Sequence, residues 1–288
     1  MILLSILVGL GLEYFLGTLD RLRNFEWFEY YRNWLELRCG KLKSWEGPAG
    51  VLLTLAIPLL VLALLTNLLD RASIILSFIL AIFIFIYSIG SDVNSLLDDY
   101  IDALVSGDEG SLRGIEQQLN VATTTVDPTG LAIIQSVCLR ANDHLFGVIF
   151  WFIILGPVGA LLFCLTVRLK DQCKDSRGAY AEAVRNLHSV LIWPAARLLA
   201  LGFALAGSLV DALEGWREVK GHTLDNSTTV ITESALGAIQ YRSVDTMDEQ
   251  ARKAEYLARM QEVHALVNRT LIIWLTILGL MTLRGILG

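Results

Sequence analysis

AGVLLTLAIPLLVLALLTNLL, residues 49–69, is followed after Asp70-Arg71 by ASIILSFILAIFIFIYSIGS, residues 72–91, and neither stretch holds a charged side chain. A helix rises about 1.5 Å per residue, so about 20 apolar residues cross a hydrocarbon core of about 30 Å. That core holds no water, so backbone N–H and C=O groups must bond to one another, and the two runs are therefore expected to be helices. Two intervening residues leave room only for a tight antiparallel pair. Pro58, inside the first run, predicts a kink.

The rest of the chain agrees with this start. Of 288 residues, 54% are hydrophobic and 18% charged, and the mean hydropathy is +0.55. Such a composition excludes a disordered tail and an ordinary soluble enzyme. A net charge of −6 argues against a phosphate-backbone partner, so no nucleic acid is expected. The expected fold class is all-α: a polytopic integral membrane protein with four to six hydrophobic segments and amphipathic interfacial helices, forming one membrane domain over residues 1–288.

Residues 145–167 form a third charge-free run. Weaker candidates are residues 1–19, which contain Glu13, residues 190–210, which contain Arg197, and residues 270–287 between Arg269 and the C-terminal end, with Arg284 inside. Long arginine stems at such positions can snorkel to the interface. Residues 1–19 lack a basic n-region and an A-x-A site, so a cleaved signal peptide is not expected. Within 190–210, Ala196, Ala200, Ala204 and Ser208 recur every four residues. This small-xxx-small stripe lets another helix backbone approach closely.

Lys and Arg concentrate in residues 21–43, 168–185 and 217–269. The positive-inside rule places all three in the cytoplasm. If every apolar run spans, 168–185 falls outside. Making 145–167 re-entrant repairs this, with a break at Gly156-Pro157 and halves of about ten residues that dip and return. Hydropathy favours the full span, and the two readings stand side by side.

Three polar segments are expected to be helical, and residues 223–232 read as a polar linker. Residues 24–46 interleave Phe25, Trp27, Tyr30, Trp34 and Trp45 with Arg32, Arg38, Lys41 and Lys43. The mixture suits the headgroup level, and a partner-binding surface is the rival reading. Residues 92–119 read as helical with a break at Gly107-Asp108-Glu109-Gly110. Residues 245–267 read as a polar helix opened by a Thr246-x-x-Glu249 capping box. The lipid bilayer is thus the first partner, with a membrane or cytosolic protein partner as a further candidate.

Catalytic signatures are absent. There is no P-loop, G-x-S-x-G, H-E-x-x-H or G-x-G-x-x-G, the four cysteines and four histidines are scattered, and neither a metal nor another cofactor is expected. The informative constellation is Arg140-Ala141-Asn142-Asp143-His144, directly before an apolar run. Polar groups there are costly unless paired, and helix N-termini favour anions. Arg197 and Glu13 lie inside other apolar segments. Two readings follow for Glu13, Arg140, Asn142, Asp143 and Arg197: an ion pair of Arg197 with Asp143 or Glu13 that holds helices in register, or a binding site for a small anionic molecule.

The stretch Ala141-Asn142-Asp143-His144-Leu145-Phe146, continued by Phe150-Trp151-Phe152 and Gly156-Pro157-Val158-Gly159-Ala160-Leu161, resembles the "N…F…LFWF…GP.GAL" core of AmpE proteins. Trp193-Pro194-Ala195-Ala196-Arg197-Leu198 resembles that family's "W-P-x-R-L" segment, and Tyr100 and Glu13 are weaker matches. The resemblance implies a bacterial inner-membrane modulator of β-lactamase induction linked to cell-wall recycling, without a catalytic set. AmpE proteins are in turn similar to the CobD/CbiB membrane proteins, which attach an aminopropanol-type linker to a corrinoid carboxylate in cobalamin synthesis. Those carry "E-S-V-A-E-N-T-S-D-G" at the corresponding place. Here Gln135-Ser136-Val137-Cys138 matches its start, Asn142 is kept, and Gln135 and Ala141 stand for the glutamates. The expected function is AmpE-type regulation. A CobD/CbiB-like amide-forming ligase and a structural subunit of a larger membrane complex are the alternatives.

Overall fold

The computed structural model describes residues 2–16, 24–40, 45–90, 93–119, 130–219, 224–241 and 249–284. Among these the chain is helical without a strand. The Thr246 capping box lies outside the described residues. Five helical stretches are long and apolar enough to cross a membrane, and the protein is an all-α, multi-pass membrane protein. It divides into two units. The first comprises Met1–Ser91, Asp143–Ile192 and Met281–Gly288, the second Asp92–Asn142 and Trp193–Leu280.

In the first unit, α1 (Ile2–Leu16), α2 (Glu26–Cys39), α3 (Pro48–Ala72) and α4 (Ile74–Ser88) precede α8 (Gly147–Gln172) and the first half of α9 (Ala179–Ala206). α3 and α4 form the antiparallel pair that the sequence predicts, and α3 stays helical through Pro58. Lipid is the solvent of its outer face, where Leu60, Leu64 and Leu68 are exposed. Its inner face supplies Val51 and Leu55 to a core shared with Phe28, Leu165, Leu169 and Val184.

The run 145–167 is not one straight span. Gly156 has φ 63° and ψ −150°, a conformation open essentially to glycine alone. Pro157 follows as the first residue of the next helical arm, where its missing N–H is harmless. The arms fold back on each other. Asp143 and Lys170 lie 2.6 Å apart, whereas a straight helix would separate them by about 40 Å. Near the tip, a Cβ at Gly159 would collide with the Trp151 carbonyl oxygen. Each arm of about 13 residues is about 20 Å long, short of the hydrocarbon core. The backbone thus turns back at Gly156, and the segment has the shape a re-entrant hairpin requires.

Several ends of the first unit meet at one level. The Arg168 guanidinium sits 4.4 Å over the Phe25 ring, and Gln172 donates to Glu29. Tyr180, at the start of α9, stacks with Trp45 just before α3. The Gly90 N–H, just past α4, donates to the His144 carbonyl at 3.1 Å. The basic segments around α2 and 168–185 therefore lie on the same side.

The second unit contains α5 (Val93–Ser106), α6 (Glu109–Gln118), α7 (Leu131–Ala141), the end of α9, α10 (Leu209–Glu218), α11 (Ser227–Ala238) and most of α12 (Glu249–Leu283). Gly107 and the N-capping Asp108 make the expected break between α5 and α6. The polar segment 245–267 and the apolar segment that follows are not separate elements. From Glu249 onward they form a single helix of 35 residues. The sequence changes solvent near Arg269 without any Gly or Pro to stop the helix. Of the small-residue stripe, Ala196, Ala200 and Ala204 are buried. Ser208 leaves it, because α9 ends at Ala206 and Ser208 is the N-cap residue of α10.

Candidate functional site

The strongest candidate lies at the mouth of the hairpin in the first unit. Residues 142–146 form one turn of π-helix. Such turns insert an extra residue, displace side chains from the α-helical register and are frequent at functional sites. Here the turn carries Asp143 and His144. Gly90 has no alternative residue: a Cβ there would run into the His144 ring. The close approach lets the end of α4 bond the carbonyl of the turn.

Asp143 Oδ2 accepts from Lys170 Nζ at 2.6 Å, and Asp143 Oδ1 lies 3.4 Å from His188 Nε2. Lys170 Nζ is itself 3.3 Å from His188 Nε2. The three side chains are 12%, 29% and 8% exposed for Asp143, Lys170 and His188. His188 stacks on Phe163, with 6.3 Å between centroids. A neutral His188 can accept from the lysine, and a protonated one can donate to the aspartate. The proton on Nε2 therefore has two partners of opposite character. Asp171 lies within electrostatic reach of all three groups, and the partly exposed Lys170 ammonium is the cation open to an anionic group.

The residues singled out from sequence are distributed as follows. Asp143 is the centre of this cluster. Arg140, in the second unit, donates through Nη1 to the Gln118 carbonyl at 2.9 Å. Asn142 is fully buried. Arg197 also belongs to the second unit, where it covers the Trp193 ring at 4.1 Å. It donates to the Trp193 carbonyl at 3.0 Å and to the Ser227 hydroxyl at 3.4 Å. Glu13 is half-buried on α1. Asp143 takes its partners from Lys170 and His188, which sequence reasoning passed over as a flanking charge and an isolated histidine. One signal was available: Asp143 and Lys170 are nearly equidistant from Gly156-Pro157. In the second unit, the Tyr100 hydroxyl meets that of Tyr256 at 2.6 Å, with Glu116 at 3.4 Å.

The fold and this cluster define a multi-pass helical membrane protein with a partly buried carboxylate–lysine–histidine site. Two curated proteins resemble the chain. The cobalamin biosynthesis protein CobD of Stutzerimonas stutzeri (strain A1501) is 34% identical over 101 residues, 33% of each chain. CobD of Chromobacterium violaceum is 33% identical over 100 residues, 33% of this chain and 31% of its own. The matched stretch thus spans about a third of each relative. No protein-family model and no solved structure matches.

Proposed function

We propose that this chain is a CobD-like membrane enzyme of corrinoid metabolism in the bacterial inner membrane, joining a carboxylate to an amine. The similarity to two CobD proteins carries the reading. The position of the cluster adds to it. Counted without a gap from Gln135, the ten-residue corrinoid-enzyme motif puts its second glutamate at Leu139 and its aspartate on Asp143; setting that glutamate against Ala141 requires a two-residue gap. Lys170 then holds the substrate carboxyl group. His188, kept in place by Asp143 and Phe163, takes a proton from the ammonium of the incoming amine; the neutral nitrogen adds to a carboxyl group already activated as an acyl phosphate by a nucleoside triphosphate, and the C–N bond forms as the C–O bond to phosphate breaks and phosphate leaves.

Complementation tests this. The wild-type gene restores growth of a strain lacking its CobD/CbiB protein on cobalamin-dependent medium, and Asp143→Asn at equal membrane abundance does not. Failure of the well-expressed wild-type protein to rescue refutes the enzyme reading. The glutamates replaced by Gln135 and Ala141 favour a second reading, an AmpE-type modulator of β-lactamase induction that binds an anion at the same cluster without turnover. Its test is deletion of the gene followed by induction with a cell-wall antibiotic, and unchanged β-lactamase levels refute it.

A further inference from the structure

A second cavity, of about 540 Å³, lies in the first unit beside the last turn of the hairpin. Arg32 and Glu36 of α2, Trp45 and Glu46 before α3, and Arg177 and Tyr180 around the start of α9 line it. None of its four charged side chains is ion-paired among the described residues. Glu36, Glu46 and Arg177 are exposed and Arg32 is half-buried, so water solvates these charges until a ligand that carries both signs takes its place. Here the backbone holds both signs apart around an open volume of ligand size.

We infer that this cavity holds the headgroup of a membrane phospholipid that bears both a phosphate and an ammonium group. Arg32, Arg177 and the unbonded N–H groups of the first turn of α9 face the phosphate. Glu36 and Glu46 face the ammonium, and they disfavour a polyanion such as a nucleoside triphosphate. The Trp45–Tyr180 pair, with centroids 6.1 Å apart, forms an apolar wall. Lipid is the source because the cavity opens at the bilayer interface. The outward face of α2 exposes Trp27, Tyr30, Trp34 and Leu37 at spacings of three, four and three, as an interfacial helix does. α3 starts two residues after Glu46 and exposes Leu52, giving the acyl chains an apolar path. The assignment is independent of the Asp143 cluster and of the activity proposed there.

The full chain, reconstituted in nanodiscs containing phosphatidylethanolamine and phosphatidylglycerol, is released for native mass spectrometry. The wild type is expected to retain one phosphatidylethanolamine. The Arg32→Gln/Arg177→Gln double variant should retain it at least about tenfold less, from the loss of charge-assisted hydrogen bonds. Glu36→Gln/Glu46→Gln should shift retention toward phosphatidylglycerol, because only the partner of the ammonium is removed. Thermal unfolding in the same nanodiscs identifies any variant that fails to fold. For a misfolded arginine pair, the wild-type preference between the two lipids and the glutamine pair decide. Equal retention of both lipids by the wild type, or unchanged retention by a folded arginine variant, overturns the inference. So does binding of soluble O-phosphoethanolamine as tight as that of the lipid.

Discussion

A double-mutant cycle on Asp143 and Lys170 tests the hairpin and the site together. Asp143→Ala leaves Lys170 and His188 in a confined mouth without their carboxylate. Breaking a buried ion pair from one side costs about 3–5 kcal/mol. Lys170 is 29% exposed, so water screens part of the loss and about 3 kcal/mol is expected. Lys170→Ala leaves Asp143 with His188 as its partner in the cluster, at a similar cost. The double variant carries no stranded charge on either residue and should lose about 4 rather than about 6 kcal/mol, a coupling of about 2 kcal/mol. At about 2–4 °C per kcal/mol, each single variant melts about 6–12 °C lower. Tryptophan fluorescence in nanodiscs reads the transition. Additivity within about 0.5 kcal/mol would refute the reasoning, since it is what two groups about 40 Å apart on one straight helix would give.

Gly156→Ala meets open space, since nothing lies within 4 Å of the added Cβ. Its penalty is purely torsional, about 2 kcal/mol for a side chain held at positive φ, and wild-type thermal stability would count against the folded-back tip. Gly90→Ala drives a methyl into the His144 ring and should displace the π-turn. Lowered complementation together with a shifted His144 NMR signal is expected, and a wild-type signal argues otherwise. Asp108 accepts from the Ser111 hydroxyl and from the N–H groups of Ser111 and Gly110, which holds its carboxyl below the ordinary carboxylate value. Its support of α6 is complete above the unfolded carboxylate pKa of about 4 and is lost as the pH falls through the lower folded value. Protection of the Gly110 and Ser111 amides, corrected for intrinsic exchange, should fall over that window in the wild type but not in Asp108→Asn, and a pH-independent wild type would overturn it.

The membrane helices were readable because length and lack of charge are local quantities, and residues 49–91 display both. The hairpin was half readable. Gly156-Pro157 marks a break, but hydropathy adds up side chains and is blind to a backbone that turns at positive φ. Lys170 leaves only the hint of its equal distance from Gly156-Pro157, and His188 leaves none, since its link to Asp143 exists only in the fold. The join in α12 is hidden for the opposite reason: polarity changes near Arg269 as it would at a boundary, although the helix continues through it. Ser208 kept the four-residue period but lost the helix, because α9 ends at Ala206, two residues before it.

The dip at Gly156 also changes the arithmetic of topology. A count of apolar runs gives three crossings between Glu46 and Lys174, an odd number, and assigns the two residues to opposite compartments. A hairpin that dips and returns contributes none, and the pair α3 and α4 then leaves an even number. Impermeant thiol labels on cysteines introduced at Glu46 and Lys174 would then react from one face alone, and any orientation drawn for α9 and the helices after it inverts accordingly.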